Sequence, residues 1–311
     1  MKKRSATDWI QLFFKGAGMG AADVVPGVSG GTVAFISGIY EELIGTLSNI
    51  SVSAIQVLFK KGLVEFWKKI NGTFLLVLFA GILTSIFSLA KLIHWLLENE
   101  PIRLWAFFFG LVIASIWMVG KAIKKWKWSL RLAIFIAATV AFFVTTLPPI
   151  SPEKTWWFMF FSGFIAICAM ILPGISGSFI LLILGSYPII IAAIKDFVVV
   201  DLLIFGTGCI LGLVTFSKGL KWMFKEYEQM TIAVLTGFLV GSLNKLWPWK
   251  EKAQALYTHS NGEVDYLEVN INPTQLSDPD FLVVAICTIS GAVLILGLEW
   301  FGSKLKAKKD A

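Results

Sequence analysis

The sequence contains Pro-Gly-x-Ser-Gly twice, once in each half, and both copies interrupt long apolar segments. The first copy begins at Pro26 and the second at Pro173, which sets an offset of 147 residues. Proline removes a backbone donor and disfavours helix in the residue before it, and glycine permits a sharp turn. In hydrocarbon, the backbone groups freed by such a break must find partners in protein, water or ligand. The motif therefore predicts two broken helices whose exposed backbone has a function.

The composition is typical of a polytopic membrane protein. Hydrophobic residues make up 57% of the 311 positions and charged residues only 15%, whereas soluble domains have about 25% charged residues. The net charge of +7 is distributed between apolar segments, which fits a membrane topology signal and argues against nucleic acid binding. The three cysteines and two histidines show no metal-binding spacing, so we expect no metal site, no cofactor and no catalytic residue.

The duplication extends beyond the motif. At the same offset, Gly38-x-Tyr40 aligns with Gly185-x-Tyr187, whereas further along Lys91 aligns with Lys218 at an offset of 127. The offsets 147 and 127 differ by 20 residues, which places an insertion in the first half near 50–72. Lysines interleaved with apolar residues predict a helix on the membrane surface there, and a basic loop is the alternative.

We predict an all-α polytopic membrane protein of two inverted repeats, each a re-entrant helical hairpin followed by three transmembrane helices. Repeat 1 (1–147) comprises a hairpin at 9–45, a surface helix at 55–70 and spans at 74–97, 101–123 and 130–147. Repeat 2 (156–301) comprises a hairpin at 156–195, spans at 200–224, 229–246 and 280–301, and an outer loop at 247–279, before a basic cytoplasmic tail at 302–311.

The distribution of lysine and arginine favours the inverted arrangement. If each hairpin returns to the side that it enters, every repeat crosses three times and the second repeat is inverted. If each hairpin crosses fully, the repeats are parallel and the basic clusters fall on opposite sides. Only the inverted arrangement places all basic clusters in the cytoplasm with both termini, as the positive-inside rule requires. The hairpin tips should then meet near the bilayer midplane.

The helix after each motif begins near a serine, where backbone N–H groups lack intrahelical partners. Such N–H groups, with serine hydroxyls and the positive end of the helix dipole, favour an anion and especially phosphate. The alternative is structural, because small residues allow close helix packing and serine can cap its own helix. The candidate phosphate-binding residues are Pro26, Gly27, Ser29, Gly30, Gly31, Thr32, Pro173, Gly174, Ser176, Gly177 and Ser178.

Three charged residues within apolar segments extend the candidate site. Lys91 and Lys218 are equivalent in the repeat and could receive a phosphate at each face, or could only extend their ammonium groups to the interface. Asp23 lies just before the first motif, and its equivalent in the second half is Met170. This asymmetry suits a site at which Asp23 binds a coupling proton or cation. The alternative is that Asp23 is only a charge at the end of a helix.

The region from Ala21 to Thr32 resembles the signature of the PopT-type polyprenyl-phosphate transporter family, as does the second copy from Leu172 to Ser178. The resemblance spans nearly the whole chain. It implies a flippase that returns undecaprenyl phosphate from the outer to the inner leaflet of the bacterial cytoplasmic membrane, which recycles the lipid carrier for cell wall biogenesis. Its partners would be polyprenyl phosphate and membrane lipids. The resemblance leaves open whether a proton or sodium ion is coupled to transport and whether the chain forms a homo-oligomer.

Two other classes of function compete with this interpretation. Membrane undecaprenyl-pyrophosphate phosphatases also have inverted repeats and a Pro-Gly-x-Ser motif, but theirs continues with arginine and is joined by a glutamate cluster. Here Gly30 and Gly177 follow the serines, and phosphoryl transfer needs charge neutralisation and an activated nucleophile. We therefore predict that the chain is not an enzyme. A small-anion channel or carrier would use the same helix ends.

Overall fold

A computed structural model describes residues 4–24, 29–147, 154–258, 264–276 and 278–310. Within these ranges the regular secondary structure is helical apart from one two-stranded antiparallel hairpin. The first half contains α1 (Ala6–Val24), α2 (Gly30–Ile36), α3 (Tyr40–Ser48), α4 (Val52–Lys61), α5 (Leu63–Lys69), α6 (Gly72–Asn99), α7 (Pro101–Gly120) and α8 (Trp128–Thr146). The second half contains α9 (Trp156–Ile171), α10 (Gly177–Ile183), α11 (Tyr187–Lys195), α12 (Val199–Ser242), β1 (Lys250–Thr258), β2 (Val264–Asn270), a 3-10 turn (Pro273–Gln275) and α13 (Phe281–Asp310).

Apolar helices of membrane-spanning length dominate the described chain. By length and composition, four helices in these ranges can cross a bilayer, or six if each of two bent helix pairs counts as one span. Large apolar side chains on them lack protein cover, and Phe87 on α6 is 81% exposed. Such surfaces suit hydrocarbon and not water. The prediction of an all-α polytopic membrane protein is confirmed.

The two halves repeat the same order of short helices. α2 and α10 have seven residues each, and α3 and α11 have nine. The bounds of each pair differ by the 147-residue offset that the motifs set. The turn between the short helices has glycine at positive φ in both halves, +71° at Gly38 and +65° at Gly185, a conformation that other residues rarely adopt. The duplication seen in the sequence is therefore present in the backbone.

Glycines lie at close contacts between the long helices, and these contacts also repeat. Gly16 of α1 lies against the backbone carbonyl of Leu78 on α6, and its equivalent Gly163 of α9 lies against the carbonyl of Phe205 on α12. Close approach through small residues is the usual way to join helices in lipid, where the hydrophobic effect does not drive association.

Contacts divide the chain into two compact units, and each unit draws on both halves of the sequence. Unit 1 comprises Met1–Ile93 and Pro152–Thr231, and it contains both motifs. Unit 2 comprises His94–Ser151 and Ile232–Ala311. Within unit 2, α7 packs against α13. The spans predicted at 200–224 and 229–246 lie on α12, which leaves helical geometry at Tyr227 (φ −136°, ψ 46°).

Two stretches of the chain differ from the sequence-based expectations. The surface helix expected over 55–70 is divided into α4 and α5, because Gly62 between them adopts a φ of +83°. The expected outer loop at 247–279 contains β1 and β2, which pair with Lys250 opposite Asn270. Trp249 anchors this hairpin in an apolar cluster with Ala106 of α7 and Val284 of α13.

We expect Gly110→Ala to destabilise the α7–α13 pair. A Cβ at Gly110 would clash with the Thr288 carbonyl group, and a backbone group cannot rotate away as a side chain can. Overpacking of this kind costs roughly 1–3 kcal/mol. Thermal unfolding of the purified protein in detergent should show a lower Tm. Gly120→Ala on the same helix is the control, because no atom lies within 4 Å of its added Cβ; equal Tm values for the two variants would contradict this account.

Candidate functional site

Each motif separates a long helix from a seven-residue helix, and a serine caps the short helix. Ser29 Oγ accepts a hydrogen bond from the Gly31 amide at 3.1 Å. Ser176 Oγ accepts one from the Phe179 amide at 3.5 Å. A serine at this position satisfies a backbone donor that helix geometry leaves free. Serine therefore caps a helix at both motifs, which is the structural role expected of it in the alternative interpretation.

The break after α9 follows from the proline and glycine of the second motif. Pro173 is buried and has no N–H to continue the helix. Gly174 has a φ of +88°, in the left-handed region that favours glycine. Pro26 and Gly27, the matching pair of the first motif, lie outside the described residues.

The two motifs contact each other within unit 1. The Gly174 amide donates a hydrogen bond to Thr32 Oγ1 at 2.8 Å. Ser29 Oγ donates to the Leu172 carbonyl at 3.3 Å, with the Met170 carbonyl at 3.4 Å. These carbonyls stand at the end of α9, where the helix provides no further donors. Hydroxyl groups of the first half therefore satisfy the backbone that the break in the second half exposes.

The close approach of the motifs requires glycine at position 31. A Cβ on Gly31 would lie 2.7 Å from the Ile171 carbonyl oxygen and 2.9 Å from that of Met170. Behind this contact, the buried Tyr40 hydroxyl donates to the Ile171 carbonyl at 3.0 Å. Sequence reasoning did not select Tyr40 as a site residue, although its alignment with Tyr187 in the repeat was an available signal.

At the start of α2, the amides of Gly30, Gly31 and Thr32 are already bound by protein groups. Asp23 Oδ1 accepts a hydrogen bond from the Gly30 amide at 2.7 Å. Ser29 accepts hydrogen bonds from the next two amides. Its hydroxyl oxygen accepts from the Gly31 amide, and its carbonyl oxygen accepts from the Thr32 amide. A carboxylate from α1 thus stands where an anionic ligand of this motif would bind.

The second motif differs because the first two amides of α10 are available. Met170 takes the position equivalent to Asp23 and brings no carboxylate. In the described part of the chain, no acceptor is hydrogen-bonded to the Gly177 and Ser178 amides. The Ser176 and Ser178 hydroxyl oxygens lie 3.0 Å apart beside them. Two amides and two hydroxyls grouped in this way suit a ligand with several acceptor oxygens.

Lys91 and Lys218 are exposed on α6 and α12. Among the described residues, the hydrogen bonds of the two motifs include neither lysine. Exposed tryptophans lie one helical turn further along, Trp95 after Lys91 and Trp222 after Lys218. Tryptophan and lysine together are typical of the membrane interface. A role of these lysines in phosphate binding therefore stays a prediction.

The described ranges contain no group of three or more His, Cys, Asp and Glu side chains placed to share a metal ion. The cysteines Cys168, Cys209 and Cys287 are free thiols. The chemistry of the candidate site is therefore that of amides, hydroxyls and the Asp23 carboxylate.

Comparison with known proteins identifies relatives of the chain. Residues 19–264 match a family model described as VCA0040-like, undecaprenyl phosphate translocase-like. A Vibrio cholerae protein named polyprenyl-phosphate transporter is 45% identical over 302 residues, which cover 96% of this chain and 98% of the relative. A Staphylococcus aureus protein of the same name is 34% identical over 259 residues, which cover 77% of this chain and 86% of the relative. No solved structure matches the chain.

The matched range includes both motifs and the residues that join them. Both relatives are named as transporters and not as enzymes, in agreement with the prediction that the chain is not an enzyme. The resemblance seen in the motif regions is thus confirmed along most of the sequence. The chain belongs to the VCA0040-like, undecaprenyl phosphate translocase-like family.

Proposed function

We propose that the chain is a flippase that moves undecaprenyl phosphate from the outer to the inner leaflet of the bacterial cytoplasmic membrane, so that the lipid carrier can be reused. The observation that carries this proposal is the contact between the two motifs, of which one has available donors and the other is bound by a carboxylate. The names of the two relatives support a polyprenyl phosphate as the cargo.

The lipid phosphate binds at the second motif in the conformation described. The Gly177 and Ser178 amides and the Ser176 hydroxyl are its donors, because phosphate oxygens accept strong hydrogen bonds from such groups. Thr32 belongs to the same site, since its hydroxyl accepts from the Gly174 amide and keeps its own proton to donate. The other motif residues set the turns that hold these donors.

Asp23 acts as an internal anion that competes with the lipid phosphate for the first motif. Its release from the Gly30 amide makes that donor available, and transfer of the phosphate from one motif to the other is the alternating-access step. Two negative groups repel each other strongly where the effective dielectric constant is low. A proton or sodium ion on Asp23 would remove this repulsion, which makes Asp23 the proposed coupling residue.

The inverted arrangement of the repeats would give such a site access from both sides of the membrane. The matching bounds of the short helices support a duplicated unit, and the basic clusters support cytoplasmic termini. α4 and α5 carry exposed Phe59 and Leu63 beside basic residues, as expected for helices on the cytoplasmic membrane surface. Lys91 and Lys218 would lie at the two membrane–water interfaces.

We expect Asp23→Asn to tighten the binding of undecaprenyl phosphate by about tenfold, because it removes a charge that repels the lipid phosphate. The amide oxygen of asparagine can still accept from the Gly30 amide. The dissociation constant is measured by titration of the purified protein in detergent. Asp8→Asn, near the opposite end of α1, is the matched control. Weaker binding by Asp23→Asn than by this control would refute the competition.

Proteoliposomes that contain the purified chain test the function itself. We expect faster transbilayer movement of undecaprenyl phosphate than in protein-free vesicles, without passage of inorganic phosphate. Phosphate flux without lipid movement would establish an anion channel or carrier instead. Release of inorganic phosphate from undecaprenyl pyrophosphate would establish a phosphatase.

A further inference from the structure

The short helix of each repeat ends at a turn, and in the first repeat a lysine from the preceding long helix binds this end. Lys15 of α1 donates from Nζ to the Ser37 carbonyl at 2.6 Å, just after α2. The C-terminal end of a helix carries partial negative charge and carbonyls without intrahelical partners. An ammonium group from within the chain therefore compensates the end of α2.

A serine takes the place of this lysine in the second repeat. At the 147-residue offset, Lys15 corresponds to Ser162 of α9, and Ser37 corresponds to Leu184 at the end of α10. In the described part of the chain, no donor is hydrogen-bonded to the Leu184 carbonyl. The residue four positions further on, which would supply an amide in a continuous helix, is Pro188 and has no N–H. The Leu184 carbonyl can therefore still accept a ligand where the Ser37 carbonyl already has one.

Ser162 has a buried hydroxyl group without a partner. The residue is 1% exposed, and among the described residues nothing is hydrogen-bonded to its Oγ. A serine inside a helix can donate to the carbonyl four residues earlier, and a buried hydroxyl that makes no such bond is costly. A bound ion or water commonly accounts for a group of this kind.

Ser162 lies on the face of α9 that packs against α10. One helical turn further along this face, the Ala166 carbonyl oxygen lies 2.8 Å from the position of an added Cβ on Gly177, the first residue of α10. Because α10 packs back along α9 after the Pro173 break, the turn before Ala166 lies towards the C-terminal end of α10. Serine lacks the four-carbon stem of lysine. Its oxygen therefore stops short of the position that Lys15 Nζ takes in the first repeat.

We propose that the C-terminal end of α10 binds a sodium ion, with the Leu184 carbonyl and the Ser162 hydroxyl among its ligands. The ion takes the place that the Lys15 ammonium group takes in the first repeat. Neutral oxygen ligands suit a hard monovalent cation, whereas Ca²⁺ and Mg²⁺ are usually held by carboxylates. Carbonyls at the ends of broken helices coordinate Na⁺ in other transporter folds.

The site would make the position of α10 depend on sodium. Lys15 always compensates α2 because it is part of the chain, whereas a sodium ion can leave α10. Its release would loosen the helix whose other end carries the proposed phosphate donors, so the sodium concentration would regulate that site. This role in transport rests on the proposed function, whereas binding of the ion does not.

Sodium binding to the purified full chain in detergent tests the site. The probe is radioactive sodium, with choline chloride to keep the ionic strength constant, in the Asp23→Asn background, which removes the carboxylate of the other candidate cation site. We expect saturable binding, and Ser162→Ala should raise the dissociation constant at least about tenfold because it removes a ligand. Ser115→Ala is the matched control, since this serine is also buried but its hydroxyl already donates to the Leu111 carbonyl at 2.6 Å.

Ser162→Lys gives the second repeat the residue that the first repeat has. We expect this variant to bind no sodium at the end of α10, because the introduced ammonium group takes the place of the ion. In the same background, sodium should raise the Tm, and both Ser162→Lys and Ser162→Ala should remove this effect. If Ser162 had only a packing role, Ser162→Ala would lower the Tm equally in sodium chloride and choline chloride.

Equal sodium affinities of Ser162→Ala and Ser115→Ala, or no saturable sodium binding in the background protein, would overturn the site. Lipid movement by the wild-type chain in proteoliposomes would still support the proposed function in that case. Sodium binding that depends on Ser162, together with no lipid movement, would uphold the site and refute the flippase.

Discussion

Gly31→Ala is expected to reduce transport of undecaprenyl phosphate by more than about tenfold, because it forces the two motifs apart. The added methyl group would lie within 3 Å of two carbonyl oxygens at the end of α9, those of Ile171 and Met170. Neither side of this contact has a flexible side chain that could move away. The separation breaks the hydrogen bond between Gly174 and Thr32, which joins the proposed donors of the second motif to the first.

Gly45→Ala is the matched control for this variant. Gly45 lies in α3, its φ is not positive, and an added Cβ meets no atom within 4 Å. Alanine is favoured over glycine inside a helix by roughly 1 kcal/mol, so folding should not suffer. Transport is measured in proteoliposomes with equal amounts of each protein. Wild-type rates for Gly31→Ala would show that the contact between the motifs is not needed.

Met170→Asp is expected to reduce the binding of undecaprenyl phosphate by at least about tenfold. The new carboxylate occupies the position equivalent to Asp23, which holds the Gly30 amide at 2.7 Å in the first motif. By the same geometry it would reach the Gly177 amide and repel the lipid phosphate. The dissociation constant is measured by titration of the purified variant in detergent.

Met170→Asn separates the effect of charge from that of shape. Asparagine has nearly the size of aspartate and can accept the same hydrogen bond, but it carries no charge. The position is partly exposed, so a polar side chain can be accommodated. We expect Met170→Asn to bind the lipid with much higher affinity than Met170→Asp. Equal losses in both variants would place the phosphate away from the second motif.

The sequence was sufficient to predict the broken helices and the duplication. The rules for proline and glycine are local, so Pro173 and Gly174 predict a break without knowledge of the fold. The offset between the motifs also relates α2 to α10 and α3 to α11 residue by residue. The inverted orientation of the repeats and the phosphate site stay predictions.

Other features depend on tertiary contacts that local rules do not contain. The bond from Asp23 to the Gly30 amide crosses a break, and its geometry depends on how α1 and α2 pack. Tyr40 reaches a carbonyl 131 residues away in sequence. The hairpin of β1 and β2 lies in an acidic segment, and isolated hairpins are marginal in water; Trp249 secures it through the cluster with α7 and α13.

The most direct test of the central claim is a structure of the chain with undecaprenyl phosphate bound. We predict that phosphate oxygens lie about 3 Å from the Gly177 and Ser178 amides and from the Ser176 hydroxyl, with Thr32 beside them. A phosphate found elsewhere in the chain, with these amides and hydroxyls unoccupied by the lipid, would contradict the proposal that the two motifs form the phosphate site.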